Sequence, residues 1–112
     1  MVKPISRPYS QYSLSALELL GQLVREARAA KALTAADLAA RAGISRALLA
    51  RIERGDPGCS IGVVFEVATI CGVPLFDQDQ RQLATHLAMQ TEKMALLPKA
   101  VRARVKGVKD DF

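Results

Sequence analysis

Near the start of the chain, Leu17, Leu20, Val24 and Ala27 recur at spacings of three and four, the period of one buried helical stripe. Ser13 or Ser15 can cap this helix, which is expected to run to about Ala32. Two short helices follow within Leu33–Gly55, LTAADLAARAGISRALLARIERG. Thr34 caps the first, and Asp37 makes Thr-x-x-Asp a variant of the capping box that also complements the positive end of the helix dipole. Gly43 stops it, because glycine enters the left-handed conformation without steric cost, and Ile44 then drops into the core. Ser45 caps the second helix, which continues through Arg54 to Gly55. Leu38, Ala39 and Ala42 share the inner face of the first helix, Leu49 and Ile52 that of the second, and Ala39 is small enough for a close crossing.

The segment DPGCS is turn chemistry, and Ser60 can cap a further helix, Ile61–Cys71, stopped at Gly72. This helix is apolar on more than one side. Ile61, Val64, Phe65 and Ala68 make one stripe; Val63, Val67 and Ile70 make another, which is expected at a dimer interface because a short surface helix needs only one. A last helix begins near Asp77 or Asp79, carries Leu83, Leu87, Met94 and Leu97 on one side and ends at Pro98. The pattern therefore predicts an all-α chain with three parts. Residues 1–14 form an N-terminal arm, 15–98 the folded helical domain with its candidate dimer interface, and 99–112 a basic, disordered tail too poor in apolar residues to fold alone.

Composition narrows the function. The 112 residues suffice for one core, half of them are hydrophobic, aromatics make up 4% and the net charge is +5, which favours a polyanionic partner. No apolar run approaches a membrane span, and the start MVKPISRPYSQYS lacks the apolar core of a signal peptide, so a cytoplasmic protein without membrane contact is expected. Cys59, Cys71 and the lone His86 are too few and too scattered for a metal site, and each is expected to be structural. No nucleophile-base pair or glycine-rich phosphate loop points to an enzyme or to a cofactor.

The second short helix leaves Ser45, Arg46, Ala47, Leu48, Ala50, Arg51 and Arg54 outward, with its one acid, Glu53, toward the edge. An ordinary helical hairpin would account for the leucines equally well, but not for arginines at both ends of this face with small residues between them. A helix-turn-helix enters the major groove with such a face. The pattern LTxxxLAxRAGxSRxxLxRIERG closely resembles the Cro/C1-type (Xre) helix-turn-helix of phage and bacterial repressors. That resemblance implies a five-helix Cro/C1 repressor-like bundle with an extended last helix and flexible tails, set on double-stranded, pseudo-palindromic operator DNA as a homodimer. Ser45 would anchor a phosphate, Arg46 or Arg51 would read a guanine edge, Ala47 and Leu48 would meet thymine methyls, and Arg54 would hold backbone. In that fold the end of the first helix lies near the DNA backbone, which places Arg28 and Lys31 at phosphates. Ala35 is a departure, since many relatives carry there a glutamine that bonds a phosphate.

A second resemblance covers most of the chain, from about Tyr12 to Phe112. The runs ERGDPGCSIGVVFEVATICGVPLFD and MALLPKAVR and the ending KDDF look like antitoxins of the HipB type, which are encoded with HipA-like kinase toxins. It implies a type II antitoxin that represses its own operon and restrains its toxin. Asp110, Asp111 and Phe112 are a short acidic-aromatic segment suited to ordering on a partner, and they are the expected toxin contact. Two other functions fit the same residues: a free-standing Xre-family regulator without a toxin partner, and a protein-interaction module that uses the helix-turn-helix as scaffold.

Overall fold

The computed structural model describes residues 8–101. Among them lie five helices: α1 (Gln11–Ala30), α2 (Ala35–Ala42), α3 (Arg46–Glu53), α4 (Ile61–Cys71) and α5 (Gln80–Ala95). The all-α class expected from the pattern, and the Cro/C1-like bundle that the resemblance implies, are the architecture observed. Residues through Asp79 form one compact unit, and α5 opens a second.

Helix starts follow the side-chain caps with two differences. The Ser10 hydroxyl, not that of Ser13 or Ser15, accepts the first-turn amide, from Ser13 at 3.2 Å. Residues 11–14, expected in the arm, are therefore helical: after Pro8 nothing in the sequence breaks a helix, so it propagates back to the earliest serine that can cap it. Residues 8–10 have no regular structure, and residues 1–7 of the arm lie outside the described residues, as do residues 102–112 of the tail. At α2 the full reciprocal box is present, with Asp37 N–H to Thr34 Oγ1 at 3.0 Å and Thr34 N–H to Asp37 Oδ2 at 3.1 Å. Ser45 caps α3 through the Leu48 amide at 3.0 Å. Ser60 occupies the cap position of α4, yet its side chain makes no capping bond.

The first four helices all stop in the same way. A left-handed residue follows each helix, at Ala32, Gly43, Gly55 and Gly72, with φ of 55°, 70°, 78° and 80°. The next amide, from Leu33, Ile44, Asp56 or Val73, then reaches back to a carbonyl in the last turn at 2.9–3.0 Å. Ile44 and Val73 pack on the core as this motif favours, and Leu33 is half-buried; Asp56 is the polar exception. Ala32 is strained, because a Cβ in this conformation costs roughly 1–2 kcal/mol. α1 ends at Ala30 rather than the expected Ala32, and an alanine in the left-handed position gives the sequence no stop signal to show it.

α1 packs on α3 and α4, and α2 packs on the same two helices. Val24, Leu38, Leu49, Val67 and Cys71 are fully buried where the four meet. Gly21 makes the α1–α3 approach possible: a Cβ there would sit 2.6 Å from the Ile52 and Glu53 carbonyl oxygens. α4 is turned from its expected register. Val64, Val67, Ala68 and Cys71 face inward, while Ile61, expected in the core stripe, is 69% exposed. A helix apolar all round offers several stripes of similar hydrophobicity, so its own periodicity cannot choose among them. Val67 is therefore corrected from an interface residue to a core residue with no exposed surface, and Val63 and Ile70 are half-buried beside it.

Beyond α4, Phe76 and Asp77 are both left-handed, at φ 55° and 56°, and Leu75 pairs with Gln78 across them in a tight turn. Phe76 packs edge-on to Phe65, with ring centroids 6.4 Å apart at 76°. Taken by itself, α5 ends at Ala95, short of the expected Pro98. The Leu96 and Leu97 amides close its last turn on the Lys93 and Met94 carbonyls, both at 3.1 Å. Leu87, Met94 and Leu97 are exposed.

Ala32→Gly should relieve the left-handed strain and raise stability by about 0.5–1 kcal/mol in urea denaturation. Gly21→Ala should do the reverse despite alanine's better helix propensity. It meets backbone rather than a movable side chain, and a loss of about 1–3 kcal/mol is expected. The capping box adds a pH dependence. The Thr34 hydroxyl and amide hold the Asp37 carboxyl below its ordinary range. Its contribution is complete above that range and is lost as pH falls through the lowered value, so Asp37→Asn should flatten the acid limb of a stability profile.

Candidate nucleic-acid interface

Around the axis of α3, Leu49 and Ile52 point into the core, which turns Ala47, Ala50 and Arg54 directly outward. Arg46 and Arg51 flank them. Arg46, Ala47, Ala50 and Arg54 are exposed, and among the described residues through Asp79 nothing closes over them. Leu48 is half-buried and packs partly against the core, which leaves only part of its side chain for any outside contact. At the start of the helix, Ser45 Oγ accepts the Leu48 amide but keeps its own hydroxyl proton, so it can still donate to an anion.

Arg28 departs from its expected place at a phosphate. Its Nε donates to Glu53 Oε2 at 2.8 Å and its Nη2 to Glu53 Oε1 at 3.1 Å, a forked pair whose side chains are 18% and 12% exposed. Nη1 also donates to the Leu33 carbonyl at 3.2 Å. One guanidinium thus ties the end of α1, the turn into α2 and the last residue of α3. The Glu53 hydrogen bond is the main reason the Arg28 pKa is raised. Arg28 is an internal clamp. Lys31 is exposed, and its ammonium approaches the C-terminal end of α4: a Cβ at Gly72 would lie 3.7 Å from Nζ.

Arg51 is also paired, in the open. Its Nε donates to Asp56 Oδ2 at 2.8 Å, and the two side chains remain 42% and 32% exposed. The other oxygen, Oδ1, accepts the Gly58 amide at 2.7 Å. These bonds hold the Asp56 carboxyl below its ordinary range, with the Arg51 hydrogen bond the largest cause. Pattern reading overlooked Asp56 and Glu53 as partners. Asp56 had a usable signal, an acid five residues after an arginine within Asp-Pro-Gly, whereas Glu53 had none, lying 25 residues from Arg28.

Cys71 is buried at the end of α4, and desolvation pushes its thiol pKa up, which keeps it protonated and unreactive; Cys59 is half-buried in the loop. Among the described residues, no helix is long and apolar enough to cross a membrane.

Two short capped helices meeting at a left-handed glycine, with an arginine-bearing face open on the second, define a DNA-binding regulator of the Cro/C1 type. A helix-turn-helix domain model matches residues 19–84, more than half the chain, and the chain belongs to that family. No curated protein and no solved structure matches it.

Arg28→Ala should strand the Glu53 carboxylate in a mostly closed site and cost about 1.5–3 kcal/mol in chemical denaturation. Arg54→Ala, on the open face, should stay within about 0.5 kcal/mol of the parent. Equal losses in the two variants would contradict the division between clamp and free cation.

Proposed function

We propose that the protein is a sequence-specific transcriptional repressor that binds a pseudo-palindromic operator as a homodimer and acts as the antitoxin of a type II pair with a HipA-like kinase toxin. The observation that carries the DNA half is the open α3 face, with Arg46, Arg51 and Arg54 around Ala47 and Ala50. Ser45 and the amides at the start of α3 anchor a phosphate. Ala47 and the exposed part of Leu48 meet thymine methyls, an arginine fork reads guanine, and Arg54 holds backbone. Lys31 remains a phosphate contact in this reading, and Arg28 does not.

A two-fold dimer sets two such helices about one DNA turn apart, roughly 34 Å. With Val67 inside the subunit, the apolar surface left on α4 for a second copy is Val63 and Ile70, extended by Ile61. The antitoxin half rests on the resemblance of ERGDPGCSIGVVFEVATICGVPLFD, MALLPKAVR and KDDF to HipB-type antitoxins. Its proposed toxin contact, Asp110, Asp111 and Phe112, lies outside the described residues.

The upstream DNA of its own gene should give a discrete mobility shift with the full chain. Arg54→Ala should weaken binding to all duplexes alike and reduce the slope of log affinity against log salt by about one unit. Unchanged affinity in both Arg46→Ala and Arg51→Ala would dispose of the groove assignment. A kinase-like protein from the neighbouring gene should copurify with the tagged chain; if the tagged chain shifts the DNA but retains no such protein, it is a free-standing regulator.

A further inference from the structure

Among the ends of α1 to α4, the residue after the left-handed stop is apolar three times, and only after α3 is it an aspartate. Asp56 is bound twice to one residue. Its amide donates to the Arg51 carbonyl at 3.0 Å, and its carboxylate accepts from Arg51 Nε at 2.8 Å. The carboxylate is itself held in place by the Gly58 amide at 2.7 Å. Gly58 also leaves room for the guanidinium, since a Cβ there would lie 3.1 Å from Arg51 Nη2. A pair this open adds little to stability. Its effect is directional.

Of the five N–H groups of a guanidinium, the one on Nε is consumed here. The described residues give Nη1 and Nη2 no hydrogen-bond acceptor. Of the four that remain, two form an end-on fork of parallel donors, on a side chain that the Asp56 bond orients before any ligand arrives. An arginine with Nε occupied cannot use the side-on Nε/Nη2 edge on a phosphate. The end-on fork suits the O6 and N7 acceptors on the major-groove edge of guanine.

We infer that Asp56 is a specificity-determining positioning residue that aims Arg51 at a guanine, the base that each recognition helix reads. The inference rests on the DNA-binding reading above and deepens it. Asp56 touches no base: it fixes the rotamer of the residue that does, so binding does not have to order a long, flexible side chain.

The test is a selection from a randomised duplex library, with the full chain and its Arg51→Ala, Asp56→Ala and Asp56→Asn variants, each checked for folding by circular dichroism. The parent should select a motif with a guanine at one position of each half-site. Arg51→Ala should lose about tenfold or more of the preference at that position. Asp56→Ala should lose preference at the same position and no other, and the double variant should be no worse than Arg51→Ala alone. Asp56→Asn, which keeps an acceptor, should fall between the parent and Asp56→Ala, and it carries the test if the alanine variant does not fold.

An unchanged motif with Asp56→Ala, a uniform loss at all positions, or tighter binding because Arg51 had been sequestered each overturns the inference while leaving the DNA-binding reading intact. Failure of the parent to select any motif overturns both.

Discussion

The last turn of α3 rests on α1 at backbone distance, and most of what the molecule offers to the outside follows from that contact. Gly21 admits the Ile52 and Glu53 carbonyls, and Gly55 in turn lies where a Cβ would meet the Glu18 backbone at 2.7 Å. The Arg28–Glu53 fork then locks the same turn from the side. With its end fixed in this way, α3 has one rotation open to it. Leu49 and Ile52 go inward, and the arginine-bearing face goes outward.

The same turn separates two kinds of cation. Arg28 is spent inside, while Arg46 and Arg54 are open to solvent and Arg51 is held by a carboxylate at its Nε alone. From the sequence alone the four look similar, as basic residues near the ends of helices. What distinguishes them is an acid brought near by the fold.

That contrast also marks how far the sequence could be read. Caps and glycine stops act within four or five residues, so Thr34 with Asp37, Gly43, Ser45, Gly55 and Gly72 were recoverable from spacing alone, and with them α2, α3 and α4. Three serines within six residues compete for the cap of α1, and only the unbroken stretch after Pro8 favours Ser10. Ala32 takes a conformation its side chain opposes, because the packing of α1 on α3 and α4 outweighs a local strain that no propensity announces. The rotation of α4 is a tertiary decision of the same kind: with apolar residues on every side, the neighbouring helices choose Val67 for the core and leave Ile61 outside. Within the candidate interface, the outward face of α3 was legible and its pairings were not. Arg28 and Glu53 meet only once α1 and α3 are packed.

The sheltered position of the Arg28–Glu53 fork gives the regulator an unequal response to its ionic surroundings. Dissolved ions screen charges in open water far more than charges enclosed by protein. On the proposed reading, a rise in ionic strength therefore loosens an anionic polymer at the open arginines, while the joint that keeps α3 in position stays closed. The protein can release its ligand without loosening its own frame, and it is ready to bind again when the salt falls.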